Sequence, residues 1–230
     1  MKYYKAMSSV TYRGVVTEID KKAFYRVAGQ ASAIYLGNEQ KQLPAVHFNI
    51  LINTEEQIKS QSKLSTETYS KNPAIIVGGR LIQSLPLSYA EATDSLSWFH
   101  QAEYRCAFEA DISNLLTGPL AEAKYIALRD GETFDAYSVN VKALQNYGNI
   151  QEIELINEYI ACLLTNEAER KMKLTELLLA AFNFVNDSSN WRNITTLATF
   201  IQEQSGDNSI IHCEDVISIL ANRGETATCQ

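Results

Sequence analysis

The sequence has few of the residues that build covalent or metal-based scaffolds. Its 230 residues include four cysteines, four prolines and three histidines. None of the cysteines forms a C-x-x-C pair, and none stands next to a histidine at the spacing of a zinc-binding motif. A disulfide framework is therefore not expected. The pattern favours reduced, mostly structural thiols in a cytoplasmic protein.

Positive charge and long apolar runs are also scarce. The chain has 20 Lys and Arg residues against 27 Asp and Glu residues, and its net charge is -7. This balance, with no dense basic cluster, argues against nucleic-acid binding and against an anionic membrane surface. No run of 18 apolar residues predicts a membrane span, and the first residues lack the apolar segment of a signal peptide.

The composition that remains is globular, with 46% hydrophobic and 20% charged residues. We expect one domain over residues 1–230, of the α+β class and mostly helical. A helix and a small sheet are predicted in 20–90, a helical array in 94–222, and a disordered tail in 224–230. Residues 1–19 are left as an N-terminal arm, and 54–72 reads as a long polar loop.

The first predicted helix runs from Asp20, a good N-cap, to Gly37, a good C-terminal stop. Strands are predicted at 43–53 and 74–77 because both segments are rich in β-branched and apolar residues. Six residues form the apolar stripe of the helix: Phe24, Val27, Ala28, Ala31, Ile34 and Tyr35. Further helices are predicted at 94–108, 111–128, 150–164, 167–186, 188–205 and 214–222.

The segment AFYRVAGQASAIYLGN in the first helix resembles the zinc-binding helix of FtsH-type metallopeptidases, whose pattern is A-x-H-E-A-G-H-A. Ala28 and Gly29 match this pattern. Arg26 stands at the first zinc histidine, Val27 at the catalytic glutamate and Gln30 at the second histidine. The resemblance therefore preserves the scaffold of the motif and loses its chemistry.

Physical chemistry supports this loss. Two histidines one helical turn apart suit a tetrahedral zinc ion, and the glutamate takes a proton from the zinc-bound water. The guanidinium of Arg26 has no lone pair for a metal. Val27 is not a base, and the amide of Gln30 is a weak ligand. The alternative is that Arg26 and Gln30 are ordinary polar residues on an amphipathic helix.

Two later segments also resemble the family, in the same order. The run LLTGPLAE, residues 115–122, is similar to the L-A-G-P-x-A-E signature, and Gly118-Pro119 predicts a helix break with Glu122 in the first turn that follows. The run YSVNVKALQNY, residues 137–147, is similar to the segment that supplies the third zinc ligand. Asn140 then replaces the family's aspartate, and Asp135 is the nearby alternative.

A glycine pair follows the second predicted strand. In FtsH-type peptidases a glycine-bearing strand beside the zinc helix lines the substrate cleft, and Gly78 and Gly79 are the candidates for that place. Absent side chains leave backbone groups free to pair with a peptide. The alternative is a plain bulge or hairpin turn.

The resemblance implies a zincin-like domain without the ATPase half of FtsH, since no G-x-x-x-x-G-K-[ST] run is present. We expect a catalytically inactive relative that lacks zinc and binds a peptide or a partner protein. Homo-oligomers are compatible with this expectation. In this interpretation Arg26 places a cation at the former zinc position, and its carboxylate partner is Glu122 or Asp135.

Two other interpretations stay open. The chain is an active hydrolase if metal ligands come from His47, His100 and acidic side chains elsewhere. It is a helical interaction module without peptidase ancestry if residues 20–83 lack a helix–sheet–helix layout. A dyad of the adjacent His212 and Cys213 lacks a third, orienting group and is not favoured.

Overall fold

The computed structural model describes residues 18–52, 73–136, 150–205 and 210–221, together with Asn140 and Leu144. The predicted loop at 54–72 and tail at 224–230, nearly all of the N-terminal arm, and most of 137–149 lie outside these residues. The described helices are α1 (Glu18–Ser32), α2 (Asn38–Gln40), α3 (Tyr89–Thr93), α4 (Trp98–Asp130), α5 (Ile150–Leu163), α6 (Glu167–Asn186), α7 (Ser188–Gln204) and α8 (Cys213–Ala221). The strands are β1 (Phe48–Ile52), β2 (Ala74–Gly78) and β3 (Ile210–His212).

The first helical stretch is longer than predicted at both ends. α1 starts at Glu18, and a π-helical turn over Ala33–Gly37 carries the chain directly into α2. Gly37 was predicted to end the helix, but its φ of -69° is helical. The left-handed residue is instead Gln42, with φ 56°, in the turn after α2. The apolar stripe is confirmed, since all of its members except half-buried Tyr35 are buried.

One long helix, α4, replaces the helices predicted at 94–108 and 111–128 and runs through the break predicted at Gly118-Pro119. Pro119 lies inside α4, where it removes one backbone N–H from the helical ladder. The segment 110–124 is buried at every position, so packing on all sides holds the helix across the missing hydrogen bond. The predicted break is therefore wrong, and Glu122 lies within the helix rather than in a first turn.

The sheet has three antiparallel strands in the order β2-β1-β3. Ile50 in the central strand pairs with Ile76 on one side and with Ile211 on the other. The third strand corrects the prediction that 94–222 is entirely helical, because Ile210–His212 is too short to show a period in the sequence. The chain thus returns at its C-terminal part to complete the sheet that its N-terminal part begins.

A mostly helical α+β architecture is confirmed, with a small sheet beside the motif helix. Ile34 in the π-helical turn lies against Gly79. A Cβ atom built on Gly79 would lie 2.7 Å from the Cδ1 atom of Ile34. Phe48 and Ile50 point into the core that the sheet shares with the helices. No helix in the described part of the chain is both long enough and apolar enough to cross a membrane.

α1 and α4 approach each other closely at two glycines. A Cβ atom built on Gly29 would lie 2.4 Å from the Cβ atom of Ala121 and 3.1 Å from the carbonyl oxygen of Thr117. A Cβ atom on Gly118 would lie 3.2 Å from both the Cγ atom and the carbonyl oxygen of Arg26. At each of these contacts one of the two helices therefore carries no side chain, which lets the backbones approach.

We predict that Gly29→Ala destabilises the fold. The added methyl group overlaps a methyl group fixed to a helix backbone, so the two helices must move apart, at a cost of about 1–3 kcal/mol. Alanine's higher helix propensity offsets up to about 1 kcal/mol of this. Urea unfolding should show a lower midpoint for the variant.

Gly37→Ala is the matched control. Gly37 is also helical, but a Cβ atom there meets nothing closer than 3.8 Å. Without a clash, only the propensity gain remains, and the free energy of unfolding should stay level or increase by up to about 1 kcal/mol. Equal effects of the two substitutions would contradict the close contact at Gly29.

Candidate functional site

A buried ion cluster lies where α1, α4 and α5 meet. The Nη1 atom of Arg26 is 3.6 Å from Oε2 of Glu122, and its Nε atom is 3.8 Å from Oε1 of Glu152. The three side chains are 7%, 12% and 23% exposed, respectively. One guanidinium from the motif helix is thus held between two carboxylates from two other helices.

The surroundings of the cluster change the pKa of one of its acidic groups, Glu122. Burial raises the pKa of the Glu122 carboxyl to about 7, and the charge of Glu152 adds to the increase. Arg26 acts in the opposite direction, as does Lys22 to a smaller extent. The desolvation of the carboxylate therefore exceeds the stabilisation that its cationic neighbours supply.

The polar atoms of the cluster are incompletely hydrogen-bonded. Within the described residues, Nε and Nη2 of Arg26 and Oε2 of Glu122 are buried and have no hydrogen-bond partner. A buried polar group of this kind costs about 1–3 kcal/mol. The two ion-pair distances exceed hydrogen-bond length, so charge attraction rather than a bidentate bond holds the guanidinium. Apolar side chains of similar volume would be expected to stabilise the fold at least as well as this cluster. The presence of the charges therefore calls for another explanation than stability.

The other motif positions carry no metal ligands. Gln30 is half-buried one turn after Arg26, and its Cβ atom would be 3.6 Å from a Cβ atom on Gly118. Arg26 and Gln30 therefore both line the α4 side of the helix. Val27 is 3% exposed and belongs to the hydrophobic core. The helix face that would hold zinc in the family presents a guanidinium and an amide.

Glu152 is the residue that sequence reasoning missed. It stands in the first turn of α5, directly before buried Ile153. An acid at that place next to an apolar stripe was the available signal. Asn140 and Asp135, the two residues considered for the third ligand position, are both exposed. Most neighbours of Asn140 lie outside the described residues, so its assignment stays a prediction.

The glycine pair ends β2 and turns the chain against α1. Gly78 and Gly79 have φ values of 87° and 76°, which favour glycine, and the Gly79 N–H donates to the carbonyl of His47 over 2.9 Å. Among the described strands, β2 pairs only with β1, so its other edge has no strand partner there. The side chain of Val77, next to the pair, is 48% exposed.

Buried Asp111 fixes the segment that follows the glycines. Its Oδ1 atom accepts from the Leu81 N–H over 2.9 Å, and its Oδ2 atom accepts from the Ile82 N–H over 2.8 Å. The hydroxyl of Tyr159 on α5 donates to the Ile82 carbonyl over 3.0 Å, and its oxygen lies 3.3 Å from the same Oδ2 atom. The end of β2 is therefore tied to α4 and α5, the helices that carry the two glutamates.

The histidines do not gather as the alternative interpretations require. His100 is exposed at the start of α4, where its Nδ1 atom is 3.2 Å from the Oγ atom of Ser97. His212 lies beside Asn49, with 3.0 Å between its Nδ1 atom and the amide oxygen. The imidazole beside Cys213 belongs to His47 rather than to the adjacent His212.

Comparison of the chain with protein-family models, with curated proteins and with solved structures found no match. The resemblance to FtsH-type peptidases therefore depends on the local motifs in the sequence. The structure shows the residues of these motifs in three features: the ion pairs of Arg26, the position of Gln30, and the glycine contacts of α1 with α4.

We predict that Arg26→Ala lowers the free energy of unfolding by about 3–5 kcal/mol at pH 8, because it leaves two partly buried carboxylates without their cation. The loss should be smaller at pH 5, where Glu122 is protonated with or without Arg26. Arg192→Ala removes an exposed arginine from α7 and should change stability by less than about 0.5 kcal/mol. An Arg26→Ala protein as stable as the Arg192→Ala protein would contradict the ion cluster.

The pKa of Glu122 gives a second prediction, on pH dependence. Because the folded protein binds this proton more tightly than the unfolded chain, Glu122 destabilises the fold increasingly as pH rises from about 4.5 to about 7. Glu122→Gln removes this titration. The stability of the variant relative to the parent should therefore rise by about 3 kcal/mol over that interval.

Urea unfolding of both proteins at a series of pH values measures this difference, in which the titrations of other groups cancel. Glu132→Gln, at an exposed position after α4, is the control and should give a flat difference. A difference for Glu122→Gln that is flat or falls with pH would show that the carboxyl is not raised by burial.

Proposed function

We propose that this chain is a catalytically inactive relative of FtsH-type peptidases that binds an extended peptide or an extended segment of a partner protein. The observation that carries the proposal is the place of the Arg26 guanidinium. In the resemblance Arg26 stands at the first metal ligand, and in the structure its guanidinium lies between two carboxylates. A fixed cation there neutralises acidic neighbours without the chemistry of zinc.

The two glutamates support this interpretation from separate helices. Glu122 belongs to the segment that is similar to the L-A-G-P-x-A-E signature, and the resemblance would place it beside the motif helix. Glu152 lies in the first turn of the helix that follows. In the family an aspartate near the start of such a helix is the third ligand, so we propose Glu152 rather than Asn140 for that place.

The glycine contacts agree with the same arrangement. Gly29 of the motif and Gly118 of the second signature lie at two close contacts of α1 with α4, where one helix carries no side chain. A shared motif glycine is expected to be retained for close helix packing even when catalytic residues are lost. The packing requirement thus explains why the scaffold of the motif outlasts its ligands.

The edge of β2 is the proposed docking surface. Alternate residues of an edge strand direct backbone N–H and C=O groups away from the sheet, where an extended peptide adds as a further strand. The exposed Val77 side chain offers an apolar contact beside the glycine pair. Specificity would then come from side chains of the peptide that reach the helix side of the strand.

An active hydrolase whose ligands include both His47 and His100 is not favoured, since among the described residues only His47 belongs to a possible ligand group, with Cys213 and Glu214. The helical interaction module was to be preferred if residues 20–83 lacked a helix–sheet–helix layout. Within residues 20–83 the described elements are α1, α2 and the β1–β2 pair, and α4 begins only at Trp98, so the structure meets that layout only in part. The helical interaction module therefore stays the alternative to this proposal.

Binding of fluorescently labelled casein, which lacks stable tertiary structure, and of an array of extended peptides tests the proposal. We predict saturable binding without cleavage, with or without added zinc. Val77→Lys should weaken binding by at least about tenfold, because it puts a charge on the edge strand and removes the apolar contact.

Leu179→Lys is the matched control, since Leu179 is similarly exposed at 51% but lies on α6. It should leave binding unchanged. Cleavage of casein by the purified chain would overturn the claim of inactivity. Binding that is absent, or that both substitutions reduce equally, would overturn the docking surface.

A further inference from the structure

Three potential metal ligands converge at the end of the sheet. His47 precedes β1, while Cys213 and Glu214 open α8. The Nδ1 atom of His47 is 3.1 Å from the Sγ atom of Cys213 and 4.0 Å from Oε1 of Glu214. One ligand atom from each residue lies within 4.8 Å of the other two.

Strand pairing brings these residues together. β1 and β3 pair antiparallel, with Asn49 opposite His212 and Ile50 opposite Ile211. The same register, continued by two residues, sets position 47 opposite position 214, where β3 passes directly into α8. The residues are 166 positions apart in the chain, so no local motif reveals the group.

The separations fit a tetrahedral metal. Zinc–ligand bonds of about 2.0–2.3 Å at tetrahedral angles place neighbouring ligand atoms about 3–4 Å apart. The two distances from the imidazole nitrogen span this range. We propose that His47, Cys213 and Glu214 form a binding site for one borderline-soft divalent metal ion, with zinc as the best match and water at the fourth position.

A catalytic cysteine–histidine–carboxylate triad explains the geometry less well. In such a triad the carboxylate orients the histidine through the ring nitrogen that faces away from the nucleophile. Here the same Nδ1 atom faces both the sulfur and the carboxylate, as ligands around a shared cation do.

The exposure of the three side chains suits uptake from solution. His47 and Glu214 are 64% and 72% exposed, while Cys213 is 6% exposed. The metal would reach the buried sulfur from the solvent side, and the thiol proton would leave to solvent as the sulfur–metal bond forms. The bound ion would join the start of β1 to the start of α8, and it is separate from the Arg26 cluster of the proposed function.

Titration of the full chain with Co²⁺ tests the site, because a thiolate ligand gives cobalt a sulfur-to-metal charge-transfer band and tetrahedral coordination gives intense visible bands. Cys106 and Cys229 are first replaced by serine, so that exposed or terminal thiols do not contribute. Buried Cys162 remains, with its Sγ atom donating to the Pro86 carbonyl. We expect one cobalt ion per chain, displaced by zinc.

Three substitutions locate the bound ion. His47→Ala and Glu214→Gln change exposed side chains and should each weaken binding by at least about tenfold, while Cys213→Ser should also abolish the charge-transfer band. The control His100→Ala removes another exposed histidine and should have no effect. Circular dichroism checks that the buried Cys213→Ser substitution leaves the fold intact.

Each other outcome overturns the proposal. Absence of cobalt uptake, or uptake unchanged in both His47→Ala and Glu214→Gln, would show that the group is not a metal site. Uptake that Glu122→Gln abolishes would place the ion at the Arg26 cluster, and it would then overturn the inactive-peptidase function as well. Casein binding is a separate measurement, and its absence would overturn the proposed function while leaving the metal site standing.

Discussion

The close contact of α1 with α4 is the constraint on which the rest of the structure depends. Gly29 faces Ala121 and Gly118 faces Arg26, so at each contact one of the two helices carries no side chain. Because the helices are this close, a guanidinium on α1 comes within ion-pair distance of a carboxylate on α4. The complete burial of α4 along this contact also keeps it helical through Pro119.

This contact concentrates charge where an apolar core would be more stable. Burying Arg26 with Glu122 and Glu152 costs desolvation that loose ion pairs recover only in part. The proposed exchange of a metal for a fixed cation would explain why such a cluster is retained. The proposed metal ligands His47, Cys213 and Glu214 lie at the start of β1 and of α8, whereas the Arg26 cluster lies on α1, α4 and α5. The two sites can therefore be tested independently.

Local patterns in the sequence predicted the features that recur at helical spacing. They did not predict contacts between residues that are far apart in the chain. The stripe from Phe24 to Ile34 and the candidate pairing of Arg26 with Glu122 follow from helical spacing and from the order of motifs. The third strand and the meeting of His47 with Cys213 depend on the register of β1 with β3, which spacing does not encode. The continuity of α4 depends on burial from all sides, which outweighs the local effect of Pro119.

A double-mutant cycle on Arg26 and Glu122 at pH 8 tests the central claim most directly, with Arg26→Met and Glu122→Gln as the single substitutions. If the guanidinium replaces a metal as the cation of this site, the two side chains should be coupled by about 1–3 kcal/mol in the free energy of unfolding. Additive effects, with a coupling energy near zero, would show that the two charges are neighbours without being partners and would contradict the account.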